Sequence, residues 1–339
     1  MTKPTVLVTG GTGYIGAWIV KELLEKGYHV RMTLRNKART DKYEFLINLA
    51  EENPGTLDLW EADLLHEGSF DEAARGADAV IHVASPFILR IKDARKELLD
   101  PALLGTRNVL NAATKSDTVK KVVLTSSVAA VHGDTIDLQK LGLKEFNEEQ
   151  FNTSSSATHQ PYSYSKVIAE KEAWKLAENQ DQWKLVVINP SFVMGPPLGG
   201  ASDSESINFM KDMLKGKFFF GAPDLYFGFV DVRDVAHAHI LALENENTSG
   251  RHILAERTMS VIDLAAMVKK LYPGKFRLPL GKAPKPLLML IGGLFGVTSK
   301  FVKQNVGYPI KYNTTRSTRD LGLTYRNLED TVREMVEEI

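Results

Sequence analysis

The sequence predicts an α/β protein: a doubly wound parallel sheet with a smaller, discontinuous C-terminal part. Three observations carry this. Short β-branched apolar runs alternate with helix-period segments up to Pro190. A glycine-rich turn joins the first of those runs to the first helix. Beyond Pro190 the segments shorten and are broken by Pro273, Pro279, Pro284 and Pro286. Such alternation implies parallel strands with crossover helices on both faces. The expected division is residues 1–190 as the sheet domain, revisited around 223–243, and residues 191–339 mostly as an interleaved second part.

Taken in order, Thr5–Thr9 is a buried-strand pattern, and Tyr14–Lys26 places Ile15, Trp18, Ile19 and Leu23 at helical spacing before the stop at Gly27. His29–Leu34 is a second strand, Lys42–Glu51 a helix, Leu57–Trp60 a third strand and Ser69–Arg75 a short helix. Ala79–Val83, the long helix Leu98–Ser116, Lys121–Ser126, the helix Tyr162–Asn179 and the strand Lys184–Ile188 continue the alternation. Phe227–Val232 has the apolar character of a strand that returns to the sheet, and Val232–Leu243 follows as a helix.

Composition narrows the function classes. The chain has 339 residues, with Lys+Arg 42 against Asp+Glu 42 and a formal charge of zero. That balance excludes the basic excess normal for nucleic-acid binders. With 43% hydrophobic residues, the chain can build a core. It has no cysteine, so disulfides, thiolate metal sites and cysteine nucleophiles are excluded together. The start Met-Thr-Lys-Pro lacks the features of a secretory leader, and a cytoplasmic protein is expected. Leu287–Val297 is apolar but too short to span a bilayer, so a buried or interfacial helix is expected there, without stable membrane insertion.

The turn Thr9-Gly10-Gly11-Thr12-Gly13-Tyr14-Ile15-Gly16 spaces glycines at 10, 13 and 16. The first glycine permits a tight turn, the second lets backbone N–H groups approach a pyrophosphate, and the third lets helix and strand pack closely. The helix N-terminus adds orphan donors and partial positive charge. A strand before and a helix after are the context this fingerprint requires, so a Rossmann-like dinucleotide site is expected at Gly10, Thr12, Gly13, Tyr14, Ile15 and Gly16. The second strand ends Thr33-Leu34-Arg35-Asn36, without the acid that would hold a ribose 2′-hydroxyl. Arg35, Lys37, Arg39 and Lys42 lie there instead, and cations suit a 2′-phosphate. NADP(H) is the expected cofactor.

Tyr162-Ser163-Tyr164-Ser165-Lys166 opens a long helix, and the i, i+4 spacing puts Tyr162 and Lys166 on one face. A neighbouring ammonium favours the phenolate and brings a phenol nearer the operating pH. Tyr164 has Ile168 at the corresponding place. Ser126 and Ser127 end the fifth strand, on the side where open α/β sheets bind ligands. A hydroxyl there can stabilise negative charge on a carbonyl oxygen.

With these residues the chain resembles the extended short-chain dehydrogenase/reductases. Within them, His82-Val83-Ala84-Ser85-Pro86, Leu104-Gly105-Thr106-Arg107-Asn108 and Ala169-Glu170-Lys171 are similar to the dihydroflavonol reductase, cinnamoyl-CoA reductase and yeast-type carbonyl (methylglyoxal) reductase group. The resemblance runs from Thr5 to about Asp234 and returns faintly at Leu321–Arg326. It implies that Ser127, Tyr162 and Lys166 are catalytic, with Tyr162 protonating the substrate oxygen as hydride arrives. It also implies that Arg35 and Lys42 hold the 2′-phosphate and that Asp63 and Leu64 contact the adenine. Val83, Ala84 and Ser85 would line the centre of the cofactor, Lys166 would meet the nicotinamide ribose, and Pro190 and Val193 would flank the nicotinamide. His132 and Phe87 are the candidate substrate contacts. Of the two serines, the resemblance favours Ser127 over Ser126.

The departures from the family are informative. Gln160-Pro161-Tyr162-Ser163 replaces the Asn-Trp-Tyr-Cys of cinnamoyl-CoA reductases, which argues against a CoA thioester. His132 stands where plant dihydroflavonol reductases place a substrate-binding Asn. Phe192-Val193-Met194-Gly195-Pro196 lacks the Asn of sugar-nucleotide epimerases. His237 and His239, two apart on a helix, do not face each other, so no metal site is assigned. Asp231 and Asp234 are structural candidates, the latter as a helix cap. Phe218–Phe220, Tyr226, Phe227 and Phe229 suit a core or an apolar pocket.

The expected function is NADPH-dependent reduction of an aldehyde or ketone to an alcohol, reversibly, by a monomer or homodimer. The alternatives are an NAD-dependent sugar-nucleotide epimerase or dehydratase, a 3β-hydroxysteroid-type dehydrogenase, and a non-catalytic NADP(H) sensor.

Overall fold

The computed structural model of the chain describes residues 3–85, 93–200, 204–295 and 297–339. Its strands are β1 (Thr5–Thr9), β2 (His29–Leu34), β3 (Thr56–Glu61), β4 (Ala79–His82), β5 (Lys121–Thr125), β6 (Lys184–Pro190), β7 (Phe192–Met194), β8 (Tyr226–Asp231), β9 (Gly250–Leu254) and β10 (Arg257–Ser260). Seven of them form one sheet in the order β3-β2-β1-β4-β5-β6-β9. Every pairing in it is parallel, from Thr5 opposite His29 to Pro190 opposite Leu254. The strand order reverses between β1 and β4, the position at which doubly wound sheets open a ligand crevice.

The alternation of side chains along a strand divides the core in two. On one face Val6 and Val8 pack with Ile19, Leu23, Leu46, Val235 and Ile240. Those residues come from the helices Tyr14–Glu25, Glu44–Glu52 and Val232–Glu244. On the other face Leu7, Val80 and Val122 meet Val109, Leu110 and Ala173 of the helices Asp100–Lys115 and Pro161–Glu178. A third core joins the small sheet β10-β8-β7 to the helices Glu205–Leu214, Val261–Leu271 and Leu328–Glu338 through Met210, Phe229, Leu264 and Met335.

Three expectations change. The run predicted to return to the main sheet is β8, which pairs with β7 and β10 instead. Its apolar pattern marks burial, and burial does not name a partner. β9 is the strand that returns, and it completes the sheet beside β6. The predicted helix Lys42–Glu51 divides into a 3-10 turn, Thr40–Lys42, and the helix Glu44–Glu52. The helix Val232–Glu244 is capped by Asp231, whose carboxylate accepts from Arg233 N at 2.7 Å. Asp234 accepts instead from the backbone N–H of Arg326 at 2.8 Å.

Of the five buried histidines, four have their protonation suppressed by burial: His82, His132, His239 and His252. Burial pushes His82 down to about 3 and the other three down to about 4. A histidine depressed in the folded state lets the unfolded chain bind more protons below its ordinary value. Stability is therefore present above about pH 6.5 and is lost as pH falls toward about 4, with up to about 1.4 kcal/mol lost per pH unit for each histidine. Denaturant midpoints measured at pH 7 and pH 5 should fall steeply, and a flat profile would contradict the neutral assignment.

Candidate active site

The glycine turn is shaped by contact. Gly10 adopts φ +69°, and a Cβ there would lie 2.9 Å from the backbone of Ala84, which follows β4. A Cβ on Gly16 would lie 2.1 Å from the carbonyl oxygen of Gly10. Strand end, turn and helix start thus close to a distance that side chains forbid. Gly13 caps the helix with no side-chain acceptor, which leaves the first N–H groups facing the crevice without a competing ligand. Tyr14 Oη donates to Gly195 O at 2.6 Å and Trp18 Nε1 to Pro196 O at 3.1 Å, tying this helix to the turn after β7.

At the end of β2, Arg35 is exposed and has no ion pair among the described residues. Arg39 is engaged by Asp41, with its Nη2 at 3.0 Å. Asp63 Oδ1 accepts from Leu65 N at 2.8 Å, and Leu64 lies over Gly105, where a Cβ would meet it at 2.9 Å. Asn108 Nδ2 donates to Leu64 O at 2.8 Å, so the helix Asp100–Lys115 holds this loop. Val83 N and Ala84 N donate to Thr9 at 3.3 and 3.2 Å, which fixes the chain leaving β4 beside the glycine turn. These are the features a dinucleotide requires: a turn without side chains, a bare helix start and a free guanidinium beyond the second strand. Phe87 lies outside the described residues.

Lys166 lies one turn beyond Tyr162 on the helix Pro161–Glu178, its Nζ 5.9 Å from the centre of the Tyr162 ring. Ser127 shares a side-chain hydrogen bond with Tyr162. The electrostatics differ from the sequence-based expectation. Burial pushes the Tyr162 phenol up to about 12, and the Ser127 contact offsets this only in part. Burial also brings Lys166 down to about 8, opposed by the carboxylate of Glu170. The phenol is therefore held neutral, as an acid, rather than poised as a phenolate.

The two serines separate. Ser126 Oγ donates to Glu170 Oε2 at 2.5 Å, away from Tyr162. Glu170, which in the sequence stands out only as the centre of Ala169-Glu170-Lys171, organises the floor of the site. It is fully buried and accepts from Asn189 Nδ2 at 2.9 Å and Trp174 Nε1 at 3.3 Å. Arg251 of β9 places Nε 2.5 Å from Glu170 Oε1, an ion pair in which the N–H is not aimed at the oxygen. Its spacing was the available signal, since Tyr162, Lys166 and Glu170 recur every four residues on one helical face.

His132 is packed between aromatic rings. Its ring stacks on Phe146 at 4.3 Å, and Nε2 lies 2.6 Å from the Tyr312 hydroxyl. These are the contacts of a polar residue packed where the chain leaves the strand. Phe192, Phe209, Phe218 and Phe227 pack edge to face or tilted at 5.4–5.9 Å, and Phe220 alone of its triplet is nearly fully exposed. Among the described residues no group of three or more His, Asp or Glu is placed to hold a metal ion.

Comparison with known proteins agrees with this architecture. The model of the NAD dependent epimerase/dehydratase family matches residues 6–255. Cinnamoyl-CoA reductase CAD2 of Medicago truncatula is 37% identical over 98% of this chain and 95% of its own. An anthocyanidin reductase of Vitis vinifera is 35% identical, covering 91% of each. Among solved structures, Gre2 of Candida albicans in complex with NADPH superposes with TM-score 0.79 at 32% identity, over 99% of this chain and 98% of that one. The yeast methylglyoxal/isovaleraldehyde reductase Gre2 with NADPH gives TM-score 0.79 at 27% identity, again over 99% and 98%.

Proposed function

The chain belongs to the NAD dependent epimerase/dehydratase family, and from that premise we propose that it is an NADPH-dependent reductase converting an aldehyde or ketone to an alcohol. The observation that carries this reading is the Ser127–Tyr162–Lys166 arrangement, with Lys166 buried and Ser127 and Tyr162 partly exposed, at the mouth of a dinucleotide crevice. Bound NADPH supplies the hydride. Tyr162, neutral at physiological pH, donates a proton to the carbonyl oxygen, and Ser127 donates a second hydrogen bond to the charge that develops there. Lys166 positions the nicotinamide ribose and supplies positive charge beside the phenol.

The glycine turn with Thr12, Tyr14 and Ile15 receives the pyrophosphate, and Asp63 with Leu64 borders the adenine. Val83, Ala84 and Ser85 would line the central part of the bound cofactor, and Pro190 and Val193 would border its nicotinamide. Arg35 and Lys42 select the 2′-phosphate. The phenylalanine cluster behind β7 and β8 supports an apolar carbonyl substrate, aryl or alkyl.

A panel of aldehydes and ketones assayed with NADPH and NADH tests the proposal. Oxidation of the nicotinamide must accompany turnover, whereas an epimerase would show no net change. Arg35→Ala should lower kcat/KM for NADPH roughly 10- to 100-fold, the value of a lost charge-assisted contact, and leave NADH within about two-fold. An unchanged preference would remove Arg35 from the phosphate site.

A further inference from the structure

The zero net charge conceals a strong asymmetry. From Leu264 to Arg319 there is no Asp or Glu, while eleven residues are Lys or Arg. Several are neutralised across the fold: Lys282 by Asp224 at 2.9 Å, Lys311 by Glu145 at 3.2 Å and Lys270 by Glu329 at 3.6 Å. Lys269, Lys275, Arg277, Lys300 and Lys303 are exposed and have no carboxylate partner among the described residues.

Among the described residues, four of the six exposed large hydrophobic residues belong to this same region or touch it. They are Phe220, Leu280, Leu287 and Leu290, at 95%, 73%, 45% and 82% exposure. Backbone hydrogen bonds make the first two neighbours. Leu280 N donates to Phe219 O at 2.9 Å and Ala283 N to Ala222 O at 2.8 Å, which lays the Phe220 turn beside residues 280–283. The helix Lys285–Ile291 leaves directly from there. Ser299 Oγ donates to Met289 O at 3.0 Å and Lys285 Nζ to Lys303 O at 3.2 Å, so the helix Ser299–Asn305, carrying Lys300 and Lys303, lies alongside. On the other side Arg277 packs against Gly216, next to the exposed Lys215.

We propose that this face, an aliphatic and aromatic tip flanked by unpaired cations, docks on the surface of an anionic phospholipid bilayer. The proposal goes beyond the reductase reading and does not depend on it. Leucine and phenylalanine enter the boundary between headgroups and chains, while lysine and arginine stay at the level of the headgroups. The negative potential of such a surface attracts each flanking cation. A second copy of the chain is a poor occupant, because pairing this face with itself would bring like charges together. No helix among the described residues is long and apolar enough to cross a membrane, so the contact is peripheral. The face is also anchored rigidly. Asn305 Nδ2 donates to Asp134 Oδ1 at 2.6 Å, and Asp134 accepts in turn from Gln160 Nε2 at 2.7 Å, two residues before Tyr162.

Flotation of the full chain with vesicles tests this. At low salt, phosphatidylcholine vesicles containing phosphatidylserine should bind about ten-fold more protein than phosphatidylcholine alone, and high salt should abolish the difference. The double variants Phe220→Ser/Leu290→Ser and Lys300→Glu/Lys303→Glu should each lower binding about ten-fold while carbonyl reduction in solution and the circular dichroism spectrum stay unchanged. Three results would overturn the proposal: equal binding to both vesicle types, full binding by either variant, or a dimer of the native chain that Leu290→Ser dissociates.

Discussion

Tyr162→Phe should lower kcat for carbonyl reduction by roughly 10²- to 10⁴-fold, the range for a lost general acid, with the affinity for NADPH changed by no more than about two-fold. The reasoning begins with the environment of the phenol. Burial holds it near 12, so it stays protonated throughout the working range and its own titration leaves no mark on the profile at neutral pH. The group beside it that does titrate in reach is Lys166, near 8. The rate of reduction should therefore fall as pH rises through about 8, when the ammonium beside the phenol is lost. Stopped-flow hydride transfer and fluorescence titration of NADPH separate the two quantities. Retention of more than about a tenth of kcat in the phenylalanine variant would reassign the proton donor.

Glu170→Ala should be the most damaging substitution for stability outside the apolar core. Its carboxylate is fully buried and binds Ser126, Asn189, Trp174 and Arg251. Removing it leaves the guanidinium of Arg251, only 5% exposed, without its charge partner. Breaking a buried pair from one side costs about 3–5 kcal/mol, which for a chain of this size is about 4–7 °C in Tm. Glu170→Gln separates structure from electrostatics. The amide keeps the volume and much of the hydrogen bonding, but it removes the charge that holds Lys166 up against burial. The Lys166 value then falls, and the alkaline limb of kcat should move to lower pH. A destabilised variant with an unmoved limb would make Glu170 purely structural.

What could be read in advance follows from which forces are local. β2 runs from His29 to Leu34 as its pattern predicts, because the turn at Gly27 and the apolar period lie within a few residues of each other. The glycine turn was equally legible, since its requirement is steric and sits inside one strand-turn-helix unit. Tyr162 and Lys166 share a helix, so spacing alone relates them. The pairing of β8 with β7 and β10 was not legible, because a buried strand pattern carries no record of its neighbour. Arg251 is the same case at the level of one side chain: it reaches Glu170 only after β9 has docked on β6. The expectation of a lowered phenol failed for a related reason. Sequence shows the nearby ammonium, whereas burial, which outweighs it, is a property of the whole fold.

The ties from Tyr14 to Gly195 and Trp18 to Pro196, together with the return of the chain as β9, have a consequence for how such a protein can change. The C-terminal half cannot be exchanged as a cassette. A chain cut after Pro190 would leave β6 as an open edge available to other strands, and His239 would no longer meet Thr125. Change in such an architecture is therefore easier by substitution of single side chains than by exchange of whole segments, while the interlocked frame stays whole.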